Sequence, residues 1–170
     1  VTTTSDSNYL GWFENNGSGS FTEHSITTTS SHSSGSDYPV SVFATNIDER
    51  AGVDIILSGG RGANGLSLKW YQNNTYQTFT ENTITTSGNS GSGVWAADLD
   101  GDGDTDVLSS SWSGIIGWHD NDGSENFSYR PFFERGDESS AHWIHAVDID
   151  GVRRRCVLIP RSEERRVGKE

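Results

Sequence analysis

Five aspartates at alternate positions form the stretch of the chain best suited to chemistry. The segment reads DLDGDGDTD and covers residues 98–106. Alternating carboxylates, with glycine where the chain must turn sharply, are what a hard cation with six to eight oxygen ligands requires. We therefore expect this loop to bind Ca²⁺ through the side chains of Asp98, Asp100, Asp102 and Asp106 and the main-chain carbonyl of Asp104. The alternative is an acidic, solvated turn without a metal.

The loop opens like an EF-hand but does not continue like one. An EF-hand requires a bidentate Glu at its twelfth position and a helix after the loop. Here that position is Ser109, and the sequence VLS, which is typical of a strand, follows the last aspartate. The loop is therefore predicted to connect two strands of a hairpin.

Two further segments of the chain repeat the surroundings of this loop. Aligned segments begin at Ser41, Gly93 and Trp143, which are 52 and 50 residues apart. They read SVFATNIDERAGVDIIL, GVWAADLDGDGDTDVLS and WIHAVDIDGVRRRCVLI. A period of about 50 residues indicates a repeated structural unit.

The two other copies of the loop depart from the pattern in different ways. The first copy retains Asn46, Asp48, Gly52 and Asp54 but has Arg50 at the position of the third carboxylate. We expect the guanidinium of Arg50 to replace the ion by bridging Asp48 and Asp54. In the last copy Asp148 and Asp150 begin a site that Val152 and a run of arginines interrupt.

A second repeated element, W-x-x-N-x5-F, begins at Trp12, Trp70 and Trp118. An aliphatic residue lies two positions before each Trp, so both side chains share one face of a strand. We interpret the element as packing and a turn, rather than as a ligand-binding triplet. His119 takes the place of Phe13 and Tyr71 in this element, and we interpret it as a packing residue too.

Each unit contains four short apolar segments separated by turn residues. The central unit predicts strands at 42–45, 53–58, 66–72 and about 78–84, and the next unit at 94–97, 106–110, 115–119 and 127–132. Four strands in about 50 residues predict an all-β fold, a β-propeller fragment of four-stranded antiparallel blades, with roughly three blades present. A solenoid or a two-sheet sandwich is the structural alternative.

The repeats also predict the boundaries of the units. Residues 1–152 are expected to form the blades: 1–40 a partial blade, 41–92 and 93–141 whole blades, and 142–152 the start of the next. The acidic balance of residues 1–152, with five basic and 21 acidic side chains, changes at Arg153. We expect residues 153–170 to be a basic tail that is non-native or disordered; a genuine basic tail that contacts an acidic surface is the alternative.

Composition excludes several classes of function. The formal net charge of −12 argues against nucleic-acid binding, which needs clustered Lys and Arg. No apolar run approaches the length of a membrane span. The chain has one Cys, which excludes an internal disulfide framework.

The segment VWAADLDGDGDTDVLSSSWSGIIGWHDNDGSENF resembles a VCBS/FG-GAP repeat, the calcium-loop blade unit also found in the propeller of integrin α subunits. The likeness covers about residues 8–151 and includes both the acidic loop and the W-x-x-N turn. The resemblance implies that the loop joins the first and second strands of a blade and that the metal stiffens this hairpin.

The expected function is a non-catalytic, calcium-stabilised propeller scaffold that is extracellular or at the cell surface and binds a protein or carbohydrate ligand. Candidate ligand-contacting residues in the loops opposite the acidic loop are Tyr38, Trp112 and His142. The alternatives are the propeller part of a secreted polysaccharide-degrading, lyase-like enzyme and a purely structural spacer. No arrangement of a base, an acid and a substrate-positioning group is evident in corresponding loops, which favours the non-catalytic interpretation.

Overall fold

The computed structural model describes residues 2–4, 9–27, 39–59, 68–75, 78–85, 91–111, 114–134, 143–148 and 156–158. These residues form 13 strands in four sheets and contain no helix. The first sheet contains β1 (Thr2–Thr4), β2 (Tyr9–Asn15) and β3 (Phe21–Thr27). The second contains β4 (Pro39–Thr45), β5 (Asp54–Gly59), β6 (Leu68–Asn73) and β7 (Phe79–Thr85). The third contains β8 (Gly93–Ala97), β9 (Asp106–Ser110), β10 (Ile115–Asn121) and β11 (Phe127–Glu134), and the fourth β12 (His145–Val147) and β13 (Cys156–Leu158).

Each sheet is an antiparallel meander in which strands that are consecutive in sequence are neighbours in space. The predicted all-β fold with four-stranded antiparallel sheets is confirmed. Strand positions follow the predictions closely, with β9 as expected and β4 starting at Pro39 rather than Val42. Cys156–Leu158, which we placed in the tail, pair with His145–Val147 and therefore belong to the fourth sheet.

The sheets pack face to face, and the apolar core lies between them. Leu10 of the first sheet packs with residues of the second, namely Ile55, Leu57 and Tyr71. The opposite face of the second sheet packs on the third through Ile56, Leu68, Trp70, Val94 and Val107. The third sheet packs on the fourth through Leu108, Ile116, Ile144 and Ala146. Because β5 and β9 are covered on both faces, nearly all of their residues are buried, including the polar residues Asp54, Asp106 and Ser109.

The first strands of successive sheets lie side by side, as in consecutive propeller blades. β4 contacts β8, and β8 contacts β12. Aromatic rings at one repeat position connect these strands: the centroids of Phe43 and Trp95 are 4.5 Å apart, and those of Trp95 and His145 are 4.4 Å apart. The described part of the chain contains no helix long and apolar enough to cross a membrane.

The three repeated Trp residues are buried to different extents. Trp70 is fully buried between the second and third sheets, as the period-two pattern predicts. Trp12 is half-buried and stacks on the His24 ring, with centroids 4.3 Å apart. Trp118 is also half-buried, and Arg130 lies 5.0 Å above its ring. Trp12 and Trp118 are therefore less buried than Trp70, although all three occupy the same position of the repeated element.

Candidate metal centre

The acidic loop, residues 98–106, connects β8 to β9 and is closed by the carboxylate of Asp106. This residue begins β9 and is fully buried. Its Oδ2 accepts a hydrogen bond from Leu99 N at 3.0 Å, and its Oδ1 accepts one from Asn121 N at 2.9 Å. The first bond joins the two ends of the loop to each other, and the second attaches the loop to the neighbouring strand β10.

Within the acidic loop, backbone amides donate hydrogen bonds to the carboxylates of the aspartates that precede them. Gly101 N donates to Asp98 Oδ1 at 2.7 Å, and Asp102 N donates to Asp100 Oδ1 at 3.2 Å. Gly101 and Gly103 have φ values of 87° and 105°, a left-handed conformation that glycine adopts without steric cost. The D-G-D-G sequence is thus the local reason that the loop turns sharply and brings its carboxylates together.

Three of the predicted ligands converge in the folded loop. One carboxylate oxygen from each of Asp98, Asp100 and Asp106 lies within 4.8 Å of the others. An all-carboxylate group at this spacing fits a hard cation such as Ca²⁺. The side chains of Asp102 and Asp104 are in the same loop but not in this group. The main-chain carbonyl of Asp104 remains a predicted ligand.

The carboxylates of the acidic loop are partly buried and repel one another. Burial raises the pKa of Asp106 to about 6, and the charges of Asp100 and Asp120 add to this effect. Burial, followed by the charges of Asp102 and Asp120, also raises the pKa of Asp100. A bound cation would remove this repulsion, because it lies close to all of the carboxylates at once. The residues present therefore fit a divalent metal ion.

The equivalent loop of the second sheet, residues 46–54, contains the cationic side chain of Arg50. We call this loop the Arg50 loop. Arg50 Nη1 lies 3.1 Å from Asp48 Oδ2, and Gln72 Nε2 donates to the same oxygen at 2.6 Å. Burial alone would raise the pKa of Asp48, but these donors and the charge of Arg50 lower it. The carboxylate at this position is thus satisfied by protein groups.

The predicted bridge from Arg50 to Asp54 is wrong. Arg50 Nη1 instead lies 2.8 Å from Oε1 of Glu125, in the β10–β11 turn of the third sheet. The reason is burial: Asp54 is buried at the start of β5, where its oxygens accept from Ile47 N and Asn73 N. The Arg50 side chain is 64% exposed and meets Glu125 at the surface. Arg50 therefore connects two sheets rather than two positions of its own loop.

Comparison with known families identifies the segment that carries the acidic loop. Residues 52–109 match the family model of the FG-GAP-like repeat. Residues 52–109 are therefore similar to an FG-GAP-like repeat. The match begins at the end of the Arg50 loop, covers β5 to β8 and most of β9, and includes the whole acidic loop, as the resemblance in the sequence predicted. No curated protein and no solved structure matches the chain significantly.

The asparagine of the W-x-x-N element forms hydrogen bonds that hold the acidic loop, a role that the sequence analysis did not predict. Asn121 donates its backbone N–H to Asp106, and its Nδ2 donates to Thr105 O at 3.2 Å. Asn73 repeats both bonds in the second sheet, to Asp54 Oδ1 at 2.8 Å and to Val53 O at 3.3 Å. Each asparagine thus attaches the turn after the third strand to the loop after the first. The recurrence of this asparagine in all three copies of the element was the available signal.

Of the remaining predicted site residues, the structure describes only Asp148. Asp148 follows β12 and is exposed. Its expected companion Asp150 lies outside the described residues. The candidate ligand-contacting residues Tyr38, Trp112 and His142 also lie outside them.

Proposed function

We propose that the chain is a calcium-stabilised β-propeller scaffold whose ion is held by the acidic loop of the FG-GAP-like repeat. The observation that carries the proposal is the group of oxygens from Asp98, Asp100 and Asp106 within 4.8 Å of one another. The Arg50 loop supports it, because the same hairpin there contains a tethered cation in contact with Asp48. Calcium suits a flexible, carboxylate-rich loop better than Mg²⁺, which demands near-ideal octahedral geometry.

The ion would stabilise the β8–β9 hairpin without taking part in a reaction. A cation that binds only the folded state adds about 2.7 kcal/mol to the free energy of unfolding when its concentration is 100 times Kd. Extracellular modules bind calcium with Kd values on the order of 10⁻⁴–10⁻³ M. We propose an extracellular or cell-surface location, because the calcium there would occupy a loop with a Kd below this range almost permanently.

Calcium is expected to raise the melting temperature of the protein by about 5–10 °C relative to chelator, because about 2.7 kcal/mol corresponds to this shift in a domain of this size. Asp100→Ala should remove most of the increment, since it deletes one of the three converging carboxylates. Asp48→Ala is the matched control in the Arg50 loop and should leave the increment unchanged. An equal increment in Asp100→Ala and the unmodified protein, measured by differential scanning calorimetry, would contradict the proposed site.

The scaffold is proposed to be non-catalytic. Ser109 Oγ and His119 Nε2 lie 2.9 Å apart, a spacing that suits a nucleophile and its base. Both side chains are buried, with 0% and 1% of their surfaces exposed, so a substrate could not reach the hydroxyl. This pair is therefore better explained as part of the packing between sheets.

The proposed ligand is a protein or a carbohydrate bound at the end of the sheets opposite the acidic loop. The antiparallel topology brings the ends of β3, β9 and β11 to that end, and the connections that follow contain Tyr38, Trp112 and His142. Aromatic side chains there would suit either class of ligand. Tyr38→Ala combined with Trp112→Ala is expected to abolish binding on a glycan array or in a pull-down, with the melting temperature unchanged. Full binding by this double variant would exclude these loops as the ligand face.

A further inference from the structure

Asp120 lies on the third strand of the same blade, beside the acidic loop. The β9–β10 ladder ends at the pair of Val107 and His119, and Asp106 and Asp120 are the next residues beyond that end. Residues opposite each other in an antiparallel pair project to the same face, and like charges there are destabilising. Only 15% of the Asp120 side chain is exposed. The structure thus places a second, largely buried carboxylate on the strand next to Asp106, outside the group of three oxygens that lie within 4.8 Å of one another.

The second sheet shows how far a side chain at this position reaches. Gln72 occupies it, one residue after Tyr71, which pairs with Ile55. Its Nε2 donates to Asp48 Oδ2 at 2.6 Å, and Asp48 is the counterpart of Asp100. A side chain from the third strand therefore contacts the loop carboxylate directly in the Arg50 loop.

The two loops differ together at the positions around this carboxylate. In the second sheet Arg50 and Gln72 both present hydrogen-bond donors to Asp48. In the third sheet the corresponding residues are Asp102 and Asp120, which present only acceptors when ionised. Two ionised carboxylates cannot hydrogen-bond each other, whereas a cation between them satisfies both.

We propose that Asp120 contributes its carboxylate to the cation of the acidic loop, so that the site takes a ligand from the third strand as well as from the loop. This inference rests on the proposed calcium site. Arg130 forms an ion pair with Asp120 and lies over the Trp118 ring, so it holds the carboxylate and competes with the metal for it.

Isothermal titration of the 170-residue protein with Ca²⁺ tests the role of Asp120. Asp120→Gln installs the residue of the second sheet and is expected to weaken calcium binding about 10–100-fold, the usual cost of losing a residue that supports a metal site. Asp120→Asn, which preserves the size of the side chain, should weaken binding in the same direction. Asp122→Asn removes an equal charge from the exposed turn two residues away and should change the Kd less than about threefold, because exposed charges are screened.

Arg130→Ala distinguishes a metal ligand from a residue that only anchors Arg130. If Asp120 binds the cation, removing its competitor is expected to tighten calcium binding, opposite in sign to Asp120→Gln. Weaker binding in both variants would overturn the proposal, as would equal Kd values for Asp120→Gln and Asp122→Asn. Absence of calcium binding by the unmodified protein would instead refute the proposed function itself.

Discussion

Replacing Trp70 by alanine is expected to lower the free energy of unfolding by about 3–5 kcal/mol, the usual cost of truncating a large buried aromatic side chain. Only 2% of the Trp70 surface is exposed. Its neighbours belong to both contacting sheets and include Ile56 and Leu68 of the second and Val94 and Val107 of the third. The cavity would therefore lie in the interface between two blades. Equilibrium denaturation with urea measures the loss.

Trp12→Ala is the matched control for Trp70→Ala, because both residues begin the same repeated element. Trp12 is half-buried and stacks mainly on the His24 ring, a contact of about 0.5–1.5 kcal/mol. The loss of stability should therefore be clearly smaller than at Trp70. Equal losses at both positions would show that the element does not stabilise the protein through burial between sheets.

Acidification from pH 6.5 to pH 4 is expected to lower the free energy of unfolding by about 3 kcal/mol, because His119 is buried as a neutral imidazole. Burial lowers the pKa of this imidazole to about 4. The unfolded chain, with an ordinary pKa near 6.5, binds a proton in this interval that the folded protein does not, so the free energy of unfolding falls as the pH falls. The stability that depends on a neutral His119 imidazole is fully present above about pH 6.5 and lost below about pH 4.

His119→Phe isolates this effect from other titrating groups. The raised pKa values of Asp54 and Asp106 act in the opposite direction, so the relevant quantity is the difference between the unmodified protein and the variant at each pH. That difference should change by about 3 kcal/mol between pH 7 and pH 4. Ser109→Ala removes the hydrogen-bond partner but leaves the imidazole buried, and it should retain the pH dependence. Parallel pH profiles for His119→Phe and the unmodified protein would refute burial as the cause.

The sequence alone determined the parts of this protein that depend on neighbouring residues. Period-two alternation and turn residues predicted the strands of the second and third sheets, and the 50-residue period predicted their repetition. The spacing of Asp98, Asp100 and Asp106, with Gly101 and Gly103 between them, predicted a cation loop because conformation and ligand spacing within nine residues are local properties. The FG-GAP-like match covers this same segment.

Only the tertiary structure decided which distant residues meet at these loops. Arg50 pairs with Glu125, Asn121 donates to Asp106 at the end of the acidic loop, and Asp120 follows His119 on the strand next to Asp106. Each partner belongs to another strand or another sheet, and strand register and face-to-face packing bring it into place. Trp70 and Trp12 have the same local sequence pattern, but Trp70 is buried and Trp12 is only half-buried. A local pattern specifies the face on which a side chain lies, whereas the neighbouring sheet determines how much of that face is covered.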